Sequence, residues 1–333
     1  MSSLKIVGWE PHKHCAAMFT HEKFVSDVRA GNTDAVVAAL EFAKTDTSLT
    51  IDPTDPNDLI IVDACREGHS VIVRELLAWR GPGDVRVNPT IWNHSSLILS
   101  CQHGHVEVVK ILLMWYETDE KRPLPLDLNL YNCSFMMACR FYHTKVVDAF
   151  LNWNVPAPPR VSIEMNGNGA LRLACDMCNP EIVDLLLKWE GPGGTFFDPR
   201  VHRNDCLNTA AEHGREHVVR RLLQWSGPGK ETLDPTLDED RVLRTAVAQS
   251  RVMVVKVLLE WDSTRAVFNL SAALREARRN TGDSALEVVT MIQAGIEERL
   301  RWSPLKTAWV GTVAKGVEVL AARLSQPGGA SGK

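Results

Sequence analysis

Apolar residues in this chain fall in paired pairs. Ile72-Val73 precedes Leu76-Leu77, Val108-Val109 precedes Leu112-Leu113, and Val146-Val147 precedes Phe150-Leu151. The spacing returns at Ile182-Val183 with Leu186-Leu187, Val218-Val219 with Leu222-Leu223, and Val254-Val255 with Leu258-Leu259. At about 100° per residue it gathers these side chains on one broad helical face. A tryptophan follows each set, at Trp79, Trp115, Trp153, Trp189, Trp225 and Trp261, with intervals by subtraction of 36, 38, 36, 36 and 36 residues. A rare residue kept at such a period marks an internal repeat. Each repeat is predicted to carry a helix that ends near its Trp.

A second column stands fourteen residues before each Trp, at Cys65, Cys101, Cys139, Cys175, Ala211 and Val247. Small residues precede it (Ala64, Ser100, Ala138, Ala174, Ala210, Ala246), and Leu97, Leu171, Leu207 and Leu243 lie one turn earlier. These positions predict a short first helix that permits close approach by a neighbour. Gly68, Gly104 and Gly214 sit where it would end, and glycine suits the left-handed residue that closes a helix. A polar connection follows each Trp, with Gly-Pro-Gly at 81–83, 191–193 and 227–229, and it ends in Asn88-Pro89, Asp198-Pro199 or Asp234-Pro235. Such residues predict a projecting turn or finger.

Weaker copies extend the pattern. Gly31-Asn32 with Val36-Val37, Leu40 and Phe42 makes an N-terminal unit, and Ala273 to Gly295 makes a shortened last one. The expected organisation is an all-α solenoid of about eight stacked helix-turn-helix repeats over residues 24–302. An N-terminal extension covers 1–23, a capping helix 303–324 and a flexible tail 325–333.

The string L-x-x-A-C-x-x-G-H-x-E-V-V-x-x-L-L, as in Leu97 to Leu113, resembles the ankyrin repeat. The T-P-L-H opening of that family is replaced here by sequences such as Asn93-His94-Ser95-Ser96-Leu97, and the connection is longer. The resemblance implies an ankyrin-type solenoid that acts as a protein-protein interaction scaffold or adaptor. It implies contact through the fingers and the inner face of the first helices. The candidate contact residues are Asp84, Arg86, Trp92, Phe196, Arg200, His202, Lys230 and Glu231. The partner is expected to be a protein, and the scaffold a monomer. The six column tryptophans are expected to pack between units, the alternative being that they line a groove and stack on a ligand. Two other classes stay open: a structural repeat protein without a dedicated ligand, and a thiol or metal-binding protein.

Composition narrows these choices. Formal net charge is −4, which argues against a mainly electrostatic grip on nucleic acid. No run of about 18 apolar residues is long enough to span a bilayer. The N-terminus lacks a secretory pattern, so an intracellular protein, cytoplasmic or nuclear, with reduced thiols is expected. His69, His105 and His143 follow the cysteines by four residues. Each lies beyond the helix-ending turn position, so a turn-bracing imidazole is expected instead of a zinc ligand. Cys175 and Cys178 form a lone C-x-x-C inside the predicted first helix. No metal, no cofactor and no catalytic residue is assigned, since signatures such as G-x-x-x-x-G-K-[ST], G-x-S-x-G and H-E-x-x-H are missing.

Overall fold

Helices pair along the chain because each repeat carries two apolar faces separated by a turn residue. The computed structural model describes residues 20–44, 51–55, 57, 59–118, 128–153, 168–191, 194–262, 267–280 and 282–300, apart from the side chains of 116–118, 128–131 and 299–300. The expected extension up to residue 19, the capping helix and the tail lie outside the described residues, as do Trp302 and Trp309, two tryptophans outside the repeated column. Sixteen α-helices form among those described, and the only strand-like pairing there is an isolated antiparallel bridge between Glu190 and Phe196. None of these helices is long and apolar enough to cross a membrane.

The chain divides into two units, 1–162 and 163–333. The first holds α1 (His21–Ala30) with α2 (Thr33–Ala43), α3 (Ile60–Glu67) with α4 (Ser70–Ala78), α5 (Ile91–His103) with α6 (Val106–Thr118), and α7 (Leu128–Arg140) with α8 (Thr144–Leu151). Within it α1, α3, α5 and α7 pack in sequence, and so do α2, α4, α6 and α8. The second holds α9 (Gly169–Asp176) with α10 (Pro180–Lys188), α11 (Val201–Glu212) with α12 (Glu216–Gln224), α13 (Leu237–Ala248) with α14 (Val252–Asp262), and α15 (Leu270–Ala277) with α16 (Asp283–Leu300). There α9, α11, α13 and α15 pack in sequence, as do α10, α12, α14 and α16.

The apolar columns read from sequence form the core of each unit. Leu97, Leu171, Leu207 and Leu243 are fully buried, as are Ile72, Val109, Leu112, Val147, Leu186, Val219, Leu222 and Val255. The small column lies equally deep, with Ala64, Ala138, Ala174, Ala210 and Ala246 inaccessible to solvent. Small side chains there leave room for the neighbouring first helix at the usual packing distance of about 8–10 Å.

The turn between paired helices uses one left-handed residue, which is Gly31, Gly68, Gly104 and Gly214 in four pairs. Tyr142, Cys178 and Ser250 take the same place and conformation in three others. Cys178 therefore stands beyond α9 in a turn and not inside the helix that C-x-x-C suggested. After five of these turns the following residue clamps the preceding pair. His69 Nε2 faces the Arg29 carbonyl at 3.2 Å, His105 Nε2 the Arg66 carbonyl at 2.8 Å, and His143 Nε2 the Gln102 carbonyl at 2.8 Å. A carbonyl only accepts, so the imidazole nitrogen donates. In the second unit arginine does the same: Arg215 Nε donates to the Asp176 carbonyl at 3.0 Å and Arg251 Nε to that of Glu212 at 2.8 Å. The last carbonyls of a helix lack partners inside it, and this side chain supplies one from the next pair.

Candidate interaction surface

Three connections begin with a tryptophan that caps a second helix, Trp79 after α4, Trp189 after α10 and Trp225 after α12, whereas α6 runs past Trp115 to Thr118 and α14 past Trp261 to Asp262. Trp79 caps α4, is buried, and donates its Nε1 hydrogen to the Leu40 carbonyl at 3.0 Å. Its ring folds over Gly81 so closely that a Cβ there would stand 2.2 Å from the indole. Gly191 lies equally close to Trp189, and Gly227 to Trp225 at 2.9 Å. This contact explains the W-x-G spacing. Trp225 is also buried, whereas Trp115, Trp153, Trp189 and Trp261 are half-buried, so the column is graded in depth.

The glycine then starts a tight reversal. Gly81 N donates to the Val85 carbonyl at 2.9 Å, Gly191 N to that of Thr195 at 2.7 Å, and Gly227 N to that of Glu231 at 2.8 Å. Apolar residues pin the far arm, with Val87, Phe197 and Leu233 buried and the Phe197 ring 5.6 Å from that of Trp189. The arm ends in an Asx turn. Oδ1 of Asn88 accepts from Thr90 N, that of Asp198 from Arg200 N, and that of Asp234 from Thr236 N, each at 2.9 Å. The proline between them has no amide hydrogen to leave unsatisfied.

Beyond the Asx turn the backbone bends in a way that residue type does not announce. Three consecutive residues adopt left-handed conformation at the start of α5 (Trp92, Asn93, His94), α11 (His202, Arg203, Asn204) and α13 (Asp238, Glu239, Asp240), with φ between 52° and 62°. The left-handed region costs about 1–2 kcal/mol for each non-glycine residue. The third residue anchors the turn and is buried each time: His94, Asn204, Asp240. Asn204 Nδ2 donates to the Asp234 carbonyl at 2.5 Å, and Asp240 Oδ2 accepts from Asn269 N at 2.6 Å. Asn168, left-handed before α9, donates in the same manner to the Asp198 carbonyl. Asn168, Asn204 and Asp240 thus each tie one pair to the end of the next connection. Asp238, Glu239 and Asp240 form an acidic run in sequence that the turn divides, with Asp240 turned inward.

The turn places its first two residues outward. Trp92 and Asn93, His202 and Arg203, and Glu239 are exposed, while Asp238 is half-exposed. Arg203 Nη1 donates to Asp238 Oδ1 at 2.8 Å, joining neighbouring turns, and Glu239 lies 3.7 Å from Arg244.

The sequence-derived candidates separate into two groups. Trp92 and His202 belong to the left-handed turns, and Asp84 and Lys230 to the exposed tips, themselves left-handed at φ 64°. Phe196 and Arg200 instead pack on the next connection, Phe196 stacked on Trp225 at 6.4 Å and the Arg200 guanidinium 5.7 Å above the same ring. Arg200 also pairs with Asp198 at 2.7 Å. Burial raises the Asp198 pKa, but the Arg200 hydrogen bonds and charge outweigh it and hold the carboxyl below its usual range. Arg86 pairs with Asp84 at 3.3 Å, and Glu231 accepts from Gly229 N at 2.9 Å. These four residues shape the connection. The sequence reading missed Asn93, Arg203, Glu239 and the buried anchors. Asn132, Asn168 and Asn204 recur at intervals of 36, a signal for the anchors that the louder Trp and Cys columns mask.

Cys65, Cys101, Cys139 and Cys175 are buried free thiols. Burial pushes Cys65 and Cys139 up to about 12 and Cys101 and Cys175 well above the usual range. A metal needs the thiolate, and the described residues contain no group of three or more His, Cys, Asp and Glu side chains able to hold one. A separate open groove of about 930 Å³ in the first unit is bordered by His105, Glu107, Lys110, Lys145, Asp148 and Trp153, among others.

No protein-family model matches this chain, and no curated protein matches it in sequence.

Proposed function

We propose that the chain is an ankyrin-type solenoid that works as a non-catalytic, monomeric scaffold binding a protein partner through the left-handed turns and connection tips. The observation that carries this reading is the repeated turn itself. One backbone conformation, costly for non-glycine residues, recurs at 92–94, 202–204 and 238–240 with a buried polar anchor, while the outward pair changes from Trp-Asn to His-Arg to Asp-Glu. Strain held by a rigid surround is characteristic of binding sites. Different side chains on one frame are what recognition of one particular partner requires. Fixing them before contact lowers the ordering cost of association. The stacked first and second helices within each unit supply the rigidity.

The test is capture from the native cell with three proteins: wild type, a triple variant Trp92→Ala, His202→Ala, Glu239→Ala, and a control Val71→Ser, Met253→Ser on exposed second-helix positions. Proteins captured by wild type and control but missing with the triple variant, at equal helicity by circular dichroism, support the proposal. Equal capture by the triple variant, or no capture by wild type, overturns it.

A further inference from the structure

We infer that the turns at the start of α11 and α13 take a peptide segment of the partner in polyproline-II conformation carrying an acidic and a basic residue three positions apart. This rests on the scaffold reading above and narrows it to one ligand chemistry. The two turns are directly adjacent, since Arg203 of one bonds Asp238 of the other. They are opposite in sign: His202-Arg203 on α11, Asp238-Glu239 on α13.

Both charged heads keep most of their reach into solvent. The Arg203 side chain is 75% exposed and donates one N–H to Asp238. The Glu239 side chain is 93% exposed and has Arg244 at 3.7 Å, beyond hydrogen-bond length. A guanidinium has five N–H donors and a carboxylate about four acceptor sites, so each can receive a further opposite charge without breaking what it already makes. Among the flanking charges, Arg172 on α9 pairs with Asp205 on α11 at 3.6 Å, and Arg244 on α13 is the cation beside Glu239.

Spacing supplies the ligand's register. Packed helices lie about 8–10 Å apart, and a polyproline-II segment advances about 3.1 Å per residue with three residues per turn, so that every third side chain returns to the same face. A segment crossing from one turn to the next therefore sets residues about three positions apart over neighbouring turns. Left-handed backbone at all six positions, anchored by Asn204 and Asp240, fixes where the two turns present their charges.

The experiment is panning of a library of short random peptides on the full chain, followed by binding of the selected peptides to Arg203→Glu and to the exchange variant Arg203→Glu, Glu239→Arg. Selected peptides are expected to carry opposite charges at i and i+3, and to lose about tenfold or more in affinity to Arg203→Glu. Charge-swapped versions of those peptides are expected to prefer the exchange variant. Selection of peptides lacking this spacing, affinity indifferent to the substitutions, binding to nucleic acid instead, or no selected peptide at all overturns the inference. If peptides fail while native partners are still captured in a turn-dependent manner, the scaffold survives and the peptide chemistry falls.

Discussion

The imidazole of His105 occupies the space above Gly68, the left-handed residue that ends the preceding first helix. A Cβ on Gly68 would meet the ring at 2.4 Å, while the ring's Nε2 donates to the Arg66 carbonyl two residues earlier. Gly194 has a similar φ of +76° and nothing within 4 Å of its hypothetical Cβ. Gly68→Ala is therefore expected to lose about 1–3 kcal/mol more than Gly194→Ala, the difference being overpacking and not backbone strain. Urea denaturation of the two variants checks this, and equal losses would show that the close contact carries no energy.

Trp79 gives a second comparison. Replacement by Phe keeps most of the ring but removes the donor to the Leu40 carbonyl, at an expected cost of about 1–3 kcal/mol for the unpaired buried acceptor. Replacement by Ala adds the lost volume and is expected to reach about 3–5 kcal/mol. A Phe variant as stable as wild type would remove the hydrogen bond from the account.

Asn204 combines an uncommon backbone with a bond to the following connection. Asn204→Ala keeps the unfavourable φ of 62° and loses the bond to the Asp234 carbonyl. It is expected to destabilise by about 1–3 kcal/mol. Asn204→Gly, which relieves φ, is expected to lose less. The denaturation midpoints of the two variants decide the order, and the reverse order would contradict an anchored left-handed turn.

The buried thiols set an alkaline limit. Cys65 and Cys139 are pushed up from 9.0 to about 12 in the folded chain. Their contribution to stability is complete below the unfolded pKa and is lost as pH rises from about 9 towards 12, where only the unfolded chain ionises readily. Iodoacetamide at pH 8 is expected to modify exposed Cys133 and spare Cys65, Cys101, Cys139 and Cys175 until denaturant is added. Mass spectrometry reads the sites, and rapid native labelling of Cys65 would refute its burial.

Asp27 acts at the other end of the scale. The Asn32 side chain and Lys23 hold its carboxyl below the usual 3.8, against burial. A depressed folded pKa contributes stability above the unfolded value that disappears as pH falls through the folded one. Asn32→Ala is expected to reduce the stability lost between neutral and strongly acidic pH. An unchanged acid profile would show that Asn32 does not hold the charge.

Helix pairs, turn glycines and the buried faces were legible because each arises from local periodicity. Leu97 and Val109 lie on the faces their spacing implies, and the W-x-G element is a contact across two residues. The bracing role of His69, His105 and His143 was legible too, but not that Arg215 and Arg251 fulfil it in the second unit, since histidine and arginine share no pattern beyond reach and a donor. The left-handed turns were hidden. Trp92, His202 and Asp238 have no common chemistry, and their conformation depends on partners about thirty residues away, as Asn204 depends on Asp234. Phe196 and Arg200 were candidate contact residues in sequence, yet both face Trp225 of the following connection. Exposure of a loop residue is decided by what the next repeat brings to it, which one repeat alone does not disclose.

Hydrogen exchange of the full chain with and without a captured partner tests the central claim most directly. Binding through the turns slows exchange at 92–95, 202–205 and 238–241, or at one unit's subset of them, with the second helices unchanged. Protection confined to the groove beside His105, Lys145 and Trp153, or to second helices alone, would contradict it.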